Sequence, residues 1–523
     1  MTNNNEKKGL VSIIAASSLG TLIEWYDFYI FGSLATIIST KFFPSTNPTA
    51  ALLSTLATFA AGFVVRPFGA LFFGRLGDLI GRKYTFLVTL VIMGLSTFLI
   101  GCVPGYETIG FLAPVLVLLL RLLQGLALGG EYGGAATYVA EHSPANQRGF
   151  YTSWIQTTAT LGLFISLFVI ILTKGSMNDT AFNNWGWRIP FWISIVMVAI
   201  SVLIRMKMQE SPVFAKAKAE GKTSTNPLKE SFGNKLNFKF VLLALFGATM
   251  GQGVVWYTGQ FYALSFIQNT LSIDISQASK IMMWGLGLGT PFFLVFGALS
   301  DKIGRKWIML VGMLVAIFSY RPIYSAMYDT ASLKNKQEDA SLQKIETTET
   351  PSAAKTGQIL KTTVTTTAYT DGTKQKEIKK ETIFAGASKV VPPTDVKTTK
   401  AVEVNTHSFR LLVLLVFIQV IFVTMVYGPI AAFLVELFPA KIRYTSMSLP
   451  YHIGNGIFGG LLPAIATFLA LRATQANEAA AKAGTKLPYD KPFLEGLWYP
   501  IIIAAICFVI GALYIHRNRQ KED

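Results

Sequence analysis

Charged residues are scarce in this chain: Asp, Glu, Lys and Arg make up 14% of its 523 residues, whereas soluble domains carry about 25%. Cysteine is almost absent, and Cys102 and Cys507 both lie in apolar runs, so no disulfide framework or metal cluster is indicated. The sequence also lacks a phosphate-binding loop, a nucleophile elbow and metal-ligand spacings. These absences exclude ATP-driven transport by this chain. We expect neither an enzyme nor a cofactor or metal site.

Long apolar segments dominate instead: 51% of the residues are hydrophobic and the mean hydropathy is +0.45. About 20 apolar residues in a helix are enough to cross the hydrocarbon core of a membrane. The first segment is interpreted as a retained helix rather than a signal peptide, because its apolar run continues and no soluble domain follows. Twelve windows predict twelve transmembrane helices: 12–38, 50–74, 84–103, 111–135, 151–172, 188–206, 239–269, 278–299, 307–327, 408–435, 444–470 and 495–516.

The distribution of basic residues predicts the orientation of these helices. With the N-terminus inside, the cytoplasmic segments hold 22 Lys and Arg residues and the short outer loops hold eight. Basic residues concentrate on the cytoplasmic side of membrane proteins, so both termini are predicted to be cytoplasmic, in a bacterial-type plasma (inner) membrane. The net charge of +17 therefore reflects membrane topology, and we expect no nucleic-acid partner and a monomeric protein.

The chain contains an internal repeat. GRLGDLIGRKYTFL at Gly74 returns as GALSDKIGRKWIML at Gly297, 223 residues later, and the segment around Pro144 returns around Pro439, 295 residues later. The difference of 72 residues is close to the length of a polar stretch, 329–407, which is therefore read as an insert in the second copy. The predicted units are an N-terminal half (1–206), a linker (207–238), a C-terminal half in two parts (239–328 and 408–523) and the insert.

Two polar segments lie outside the predicted helices. The insert has β-branched residues on both sides of Asp371 and Gly372, which predicts a small β-hairpin on the outer face. The basic linker is either a solvated tether or an amphipathic segment on the anionic inner leaflet.

The repeated loop G-x-L-x-D-x-x-G-R-K resembles the signature of the major facilitator superfamily. EWYDFYIFG, VRPFGALFFG, RLLQGLALGGEYGGA, WGWRIPF and ELFPAKIRYTSMS resemble its metabolite:proton symporter branch, which includes carriers for proline and betaine, α-ketoglutarate, citrate and shikimate. The resemblance implies an all-α membrane fold of two pseudo-symmetric six-helix halves. It also implies a substrate site between the halves near the midplane, used by alternating access.

In that superfamily, the aspartate of the repeated loop lies near a helix N-terminus of the other half. The helix dipole favours a carboxylate there, so the contact acts as a latch on the cytoplasmic side. Ser300 stands where the first copy has Gly77, which predicts a looser second latch. The resemblance and the repeat assign the latch to Asp78, Arg82, Glu141, Arg148, Asp301, Arg305, Glu436 and Arg443.

Acidic residues inside apolar spans are limited to Glu24, Asp27 and Glu131. A charge at the bilayer centre costs at least about 2.5 kcal/mol, so such groups face a cavity or a partner. Glu24 and Asp27 lie three residues apart on one helix face, and neighbouring desolvated carboxylates favour protonation of one another. This pattern predicts proton handling. The alternative is a structural pair neutralised by an arginine.

Arg66 and Arg121 are the candidate partners of these acids. Arg121 opens R-x-x-x-G-x-x-x-G, whose glycines let another helix approach closely, and the resemblance associates this arginine with proton coupling or substrate binding. Arg66 precedes Pro67 and either binds substrate or lies at a kink. Glu131 belongs either to proton coupling, with Glu24, Asp27 and Arg121, or to the gate with Arg148.

The second half has no embedded acid, and its spans offer neutral hydrogen-bonding groups instead. Any single Tyr or Trp is also compatible with packing or an interface belt, and His452 with a packing histidine. The predicted substrate-binding residues are Tyr26, Tyr29, Arg66, Gln252, Trp256, Tyr257, Gln260, Tyr427, His452 and Asn455.

Together these features predict a secondary active transporter that takes up a small polar metabolite, such as an organic acid or dicarboxylate, with protons. Its partners would be this small molecule, the proton and the lipid bilayer. Two alternatives stay open at this point: uptake of a zwitterionic osmolyte such as proline or glycine betaine, and a transporter-like nutrient sensor that uses the insert as a receptor.

Overall fold

The structure, a computed structural model, describes residues 2–43, 48–80, 82–130, 132–207, 232–334, 336–351, 358–384, 394–438 and 443–515. Within these ranges twelve long helices run through the molecule, several of them with an interruption. The first half contains α1 (Thr2–Ser33, continued by Ala35–Phe42), α2 (Pro48–Val64 and Arg66–Ile80), α3 (Arg82–Cys102), α4 (Leu112–Gly129 and Tyr132–His142), α5 (Arg148–Gly175) and α6 (Ile189–Lys207). Most of the predicted linker lies outside the described residues.

The second half repeats this arrangement. It contains α7 (Lys235–Thr270), α8 (Ile275–Gly289 and Pro291–Ile303), α9 (Arg305–Ala331), α10 (Thr406–Tyr427 and Ile430–Leu437), α11 (Arg443–His452, Ile453–Gly459 and Leu462–Lys482) and α12 (Trp498–Tyr514).

These helices confirm the twelve predicted spans. Nine described segments are long and apolar enough to cross a membrane, and two shorter apolar segments, Leu87–Cys102 and Gly186–Ile200, together with α1 complete the set. The predicted end of α11 at residue 470 is too early, because the helix continues to Lys482. The extra turns are rich in Ala, interspersed with Arg472, Gln475, Glu478 and Lys482; these residues favour helix without making an apolar run, so a hydropathy window misses them.

The two faces of the bundle are defined by its connections. Lys306 at the start of α9 donates hydrogen bonds to the carbonyls of Ala512 (2.9 Å) and Ile515 (2.6 Å) at the end of α12. The face that contains these groups and the start of α1 is called the termini side. The opposite face, where α9 leads into the polar insert, is called the insert side.

Close approach between α2 and α4 depends on the predicted glycine stripe. A methyl group at Gly125 would meet the carbonyl of Gly62, and one at Gly129 would meet the carbonyl of Arg66. The expectation that these glycines let another helix approach is therefore confirmed. As a result, α4 brings Arg121 against the backbones of α1 and α2.

Helices α7 and α11 are irregular where they meet. Helix α7 contains π-helical turns at Leu245–Thr249, Thr258–Tyr262 and Phe266–Thr270, and α11 contains one at Ile453–Gly459. Such turns often occur at functional sites because they redirect side chains within a helix.

The insert forms a four-stranded antiparallel sheet with strand order β1-β2-β3-β4. The strands are β1 (Lys344–Pro351), β2 (Gln358–Ala368), β3 (Lys374–Phe384) and β4 (Thr394–Glu403). The predicted hairpin is confirmed: β2 and β3 pair from Ala368 and Lys374 outward, and Gly372 in their turn has φ +86°. The sheet is larger than predicted because β1 and β4, also rich in threonine, extend it on both edges.

Replacing Gly125 by Ala tests the close contact of α2 and α4. Alanine is the better helix former by about 1 kcal/mol, yet overpacking costs about 1–3 kcal/mol, so we expect a lower thermal unfolding midpoint of the detergent-purified protein. Gly287→Ala is the matched control, since its methyl would meet its nearest neighbour at 3.6 Å. Equal midpoints for the two variants would contradict the contact.

Candidate functional site

Aromatic side chains from both halves meet at the centre of the bundle. Tyr29 stacks on Trp25 at 4.8 Å between ring centroids and contacts Trp256 at 5.4 Å. Phe63 meets Tyr257 edge to face at 5.0 Å. We call this group the midplane cluster: Trp25, Tyr29, Phe63, Trp256, Tyr257, Phe261, Tyr427 and Tyr451. All of its members are buried.

Arg66 lies against this cluster with its side chain fully buried (0% exposed). Its guanidinium carbon is 3.9 Å from the centre of the Phe63 ring, 4.4 Å from Phe28 and 5.1 Å from Trp25. Its Nε and Nη2 atoms have no hydrogen-bond acceptor among the described residues. The charge is thus stabilised by aromatic faces, and two of its nitrogens stay available as donors.

Polar groups of the second half lie near this guanidinium. Tyr257 and Tyr427 are close enough to interact with its charge, and so is His452. The hydroxyls of Tyr427 and Tyr451 are 2.7 Å apart and hydrogen-bonded. In the described part of the chain, neither ring nitrogen of His452 has a hydrogen-bond partner, and the same holds for Trp256 Nε1.

Arg121 is also fully buried, but most of its donors are used. It donates to the carbonyls of Phe28 (3.2 Å) and Phe59 (3.1 Å) and to Gln124 Oε1 (2.7 Å). The Gln124 amide donates in turn to the hydroxyl of Thr97 (2.6 Å). Arg121 is therefore fixed between α1 and α2, and no described carboxylate pairs with it.

The two acids of α1 lie in the interior of the first half. Glu24 is 1% and Asp27 is 0% exposed. Neither carboxylate oxygen of Asp27 is hydrogen-bonded within the described ranges. Ser194 of α6 approaches this carboxylate, but the Ser194 hydroxyl donates to the carbonyl of Gly94 (3.3 Å). Asp27 is thus a buried carboxyl group that lies next to the hydrogen-bonded group of Arg121, Gln124 and Thr97 but is not bonded to it through its carboxylate.

Tyr26 lies apart from the midplane cluster. Its hydroxyl donates to the carbonyl of Pro190 in α6 at 2.7 Å. This bond ties α1 to α6 and gives Tyr26 a structural contact within the first half.

The predicted amide side chains divide into two groups. Gln252 and Asn455 exchange hydrogen bonds at 3.1 and 2.9 Å, so they satisfy each other between α7 and α11. Gln260 of α7 instead donates to the hydroxyl of Thr160 in α5 at 3.1 Å. This bond crosses from one half to the other.

A small cleft lies between α1, α2, α7 and α11 on the insert side of the cluster. Phe59 and Phe261 line it, and Phe261 also contacts Tyr29 at 4.8 Å. Phe59 in turn contacts Phe63 at 5.0 Å, so the cleft borders the midplane cluster directly. The lining residues are Gly32, Ala35, Leu56, Phe59, Phe261, Ser265, Gln268, Asn269 and Pro463.

On the termini side, Asp301 of α8 lies against the N-terminus of α5 in the other half. Its carboxylate accepts hydrogen bonds from the backbone N–H groups of Gly149 (2.8 Å) and Phe150 (2.9 Å). Arg305 pairs with Asp301 at 2.6 Å and with Glu436 at 2.8 Å. The first N–H groups of a helix have no partner within the helix and attract anions. The Ser300 copy of the motif therefore makes a short contact; the first copy, with which the prediction compares it, has its side chains outside the described residues.

Most of the other predicted gate residues cannot be placed in the site. Glu131 and the side chains of Asp78, Arg82, Glu141 and Arg443 lie outside the described residues. Arg148 begins α5, directly before the two N–H groups that Asp301 binds, and its Nε has no partner in the described chain.

Two residues of the site, Tyr451 and Gln124, were not predicted from the sequence. Tyr451 bonds Tyr427 and stacks on Tyr132 of the first half at 3.5 Å. Its position next to His452 was the available signal. Gln124 lies three residues after Arg121, at helical contact spacing, which would have suggested the bond between them.

The family model for sugar (and other) transporters matches residues 12–239. The alpha-ketoglutarate permease of Escherichia coli K12 is 38% identical over 333 residues, covering 64% of this chain and 75% of the permease. The chain belongs to the major facilitator superfamily. This membership confirms the predicted resemblance: the protein is a multi-pass membrane transporter, not an enzyme.

Further comparisons agree with this membership. The transporter is 36% identical over 313 residues to the proline/betaine transporter of E. coli K12, covering 58% of this chain and 62% of that protein. It is 30% identical over 536 residues to a putative metabolite transport protein of Haemophilus influenzae, covering 99% and 96%. The partially occluded inward-open structure of the xylose transporter XylE aligns with a TM-score of 0.62 over 97% of this chain and 98% of XylE. At 16% identity, this likeness shows the fold alone.

Replacing Asp301 by Asn tests the contact on the termini side of the transporter. The amide keeps one acceptor but loses the charge that holds Arg305 and the α5 N-terminus, so we expect this side to open more often. In a Cys102→Ser background, which removes the exposed native thiol, Ser153→Cys reports opening, because Ser153 is fully buried in α5. Labelling of the introduced thiol by a water-soluble maleimide should speed up about two- to five-fold, in line with a contact worth about 0.5–1 kcal/mol.

Asp329→Asn is the control for this measurement. It removes an ion pair with Lys491 (2.9 Å) that lies within the second half, so labelling at position 153 should not change. A labelling rate in Asp301→Asn equal to that of the parent would show that the contact does not close this side.

Proposed function

We propose that this transporter takes up a small organic anion together with protons, and that the anion binds Arg66 beside the midplane cluster. The observation that carries the proposal is the buried Arg66 guanidinium, with free N–H groups and no carboxylate partner in the described chain. Proton coupling is assigned to Asp27.

An unpaired cation in a membrane interior is costly, and residues of this kind mark ion or substrate pathways. Arg121 shows the alternative within the same protein, since its guanidinium is occupied by two carbonyls and Gln124. The Arg66 guanidinium instead packs against aromatic rings, which leaves two of its nitrogens free to donate hydrogen bonds. A planar guanidinium with free N–H groups matches a carboxylate, which accepts two parallel hydrogen bonds.

The second half supplies neutral hydrogen-bonding groups for the rest of the substrate. Tyr257, Tyr427 and His452 lie near Arg66, and Trp256 contacts Tyr29 in the adjacent cluster. Binding that engages both halves is what alternating access requires, because the substrate then favours closure of the halves around it.

Asp27 is suited to carry the proton because it is buried and its oxygens lack hydrogen bonds in the described structure. A carboxylate in such surroundings becomes neutral on protonation and removes the cost of a buried charge. The Arg121 network reaches the same turn of α1, since Gln124 also approaches the Asp27 carbonyl at 3.5 Å. Glu24, one turn earlier and equally buried, is the second candidate carrier.

The proposed direction of transport follows from the predicted orientation. If both termini lie on the cytoplasmic side of a bacterial plasma membrane, the cleft on the insert side faces the outside of the cell. Protons moving inward would then drive accumulation. The alpha-ketoglutarate permease of E. coli K12 is named for an organic acid. So is the shikimate transporter of E. coli K12, to which this chain is 33% identical over 314 residues. Both names support an organic acid as the substrate class.

A zwitterionic osmolyte is the second candidate substrate. Trp25, Tyr29 and Trp256 present aromatic faces in the cluster, and such faces bind quaternary ammonium groups. The carboxylate of proline or betaine would again be bound by Arg66. The match to the proline/betaine transporter supports this alternative.

A thermal-shift screen of the purified transporter tests the substrate site. Dicarboxylates and aromatic acids should raise the unfolding midpoint, since a ligand stabilises the state that it binds. In Arg66→Gln this rise should disappear, and in Arg66→Lys it should be strongly reduced because the planar fork is lost.

Arg321→Lys, which changes an arginine paired with Glu495 away from the site, should keep the full response. Stabilisation by proline or betaine but by no acid would favour the osmolyte. An undiminished response to an acid in Arg66→Gln would refute binding at Arg66.

Proteoliposome uptake tests the proton assignment. Asp27→Asn should abolish accumulation driven by an inward proton gradient while preserving exchange of labelled for unlabelled substrate, because exchange needs no net proton movement. Glu24→Gln tests the second carrier in the same assay, and Asp329→Asn is a control on the insert side. Accumulation against a gradient by both α1 variants would disprove this assignment.

A further inference from the structure

The insert does more than extend from the membrane bundle: its last strand pairs with the connection between α7 and α8. Val402 of β4 donates to the carbonyl of Ser272 (2.7 Å) and accepts from the N–H of Asp274 (3.0 Å). Two residues further on, the Val404 backbone exchanges two hydrogen bonds of 2.8 Å with the Gln277 side chain. The connection is thus held along the edge of the sheet.

This connection has a strained backbone that the strand stabilises. Ser272 has φ +53° and is the one non-glycine residue with positive φ among those described. Such a conformation is disfavoured for residues with a Cβ and persists when surrounding contacts hold it. Here the carbonyl of Ser272 is one of the groups that Val402 binds.

Asp274, which β4 holds in this way, links the two halves of the transporter. Its carboxylate caps α8 by accepting from the N–H groups of Ser276 (2.8 Å) and Gln277 (3.4 Å). It also pairs at 2.8 Å with Lys174, in the last turn of α5. An acid at a helix N-terminus and a base at a helix C-terminus both suit the helix dipoles.

The charge state of Asp274 favours this pairing. Burial raises the pKa of its carboxyl group, but Lys174 and the N–H groups of Ser276 and Gln277 outweigh that effect, so the pKa lies below its ordinary value. Both side chains are largely enclosed, at 14% exposure for Lys174 and 25% for Asp274.

We propose that the insert is a positioning element for a gate on the insert side: β4 holds Asp274 where it binds Lys174, and this ion pair keeps the two halves closed there. The insert thereby shifts the access equilibrium toward the state closed on its own side. The proposal depends on alternating access between the halves and not on the identity of the substrate or the coupling to protons.

Cysteine accessibility on both sides of the purified transporter tests this proposal without substrate or gradient. In a Cys102→Ser background, in which Cys507 remains fully buried, Ser265→Cys reports the insert-side cleft and Ser153→Cys reports the termini side. The rate of labelling by a water-soluble maleimide is measured for each. Asp274→Asn keeps an oxygen to cap α8 but removes the ion pair.

Asp274→Asn should speed up labelling at position 265 about two- to five-fold, the shift that a partly exposed ion pair supports, without speeding up labelling at position 153. Gln277→Ala, which removes two bonds to β4 but leaves the ion pair, should raise the labelling rate at position 265 about two-fold. Lys174→Arg should behave as the parent. Ser276→Ala is the matched control, because Asp274 binds the backbone N–H of Ser276.

Three results would overturn the proposal. Unchanged labelling at position 265 in Asp274→Asn would show that the ion pair is no gate. A response to Asp274→Asn but none to Gln277→Ala would show that the insert does not position it. Equal acceleration at positions 265 and 153 would indicate general loosening rather than a shift of access. None of these results depends on the anion or proton assignments.

Discussion

A charge inside the hydrocarbon core has to be compensated by the protein itself, and the centre of this transporter is organised around that constraint. Arg121 is compensated by carbonyl groups and by Gln124. Arg66 is stabilised by aromatic rings, which attract a cation without using up its donors. The two arginines lie near each other, yet in the described chain Arg66 leaves two guanidinium nitrogens without an acceptor, whereas Arg121 leaves only Nε. The aromatic residues are therefore part of the charge balance of the site as well as of its packing.

The two halves are joined at both ends of the same helix pair. On the termini side, Asp301 of α8 binds the first N–H groups of α5. On the insert side, Asp274 before α8 binds Lys174 near the end of α5. Both contacts place opposite charges at helix ends, where the dipole strengthens them. Alternating access requires that each contact breaks in turn, so the equilibrium between the two open states depends on the difference between two similar interactions. A small change at either end is then enough to shift it.

The features that sequence reasoning predicted are those encoded locally. Twelve spans follow from apolar segment length, the hairpin at Asp371 and Gly372 follows from turn chemistry, and the glycines after Arg121 mark a close helix contact. The site is different, because its members are distant in sequence. Arg66 and His452 are close only in the folded molecule, and so are Lys174 and Asp274, which as isolated loop charges carried no signal. Tyr26 and Tyr29, three residues apart, have unrelated environments.

The sequence by itself determined the membrane fold, its repeat and the acids and arginines embedded in it. Apolar run length and matching motifs carry the first two, and a charge inside an apolar run is rare enough in lipid to be recognised from the sequence. Only the tertiary structure decided which embedded arginine has most of its donors used and which keeps more of them free, and which charges join the two halves. These distinctions depend on carbonyl groups, ring faces and strand edges supplied by other helices and by the insert. Such partners are set by distances of a few ångströms, which a linear order of residues does not contain.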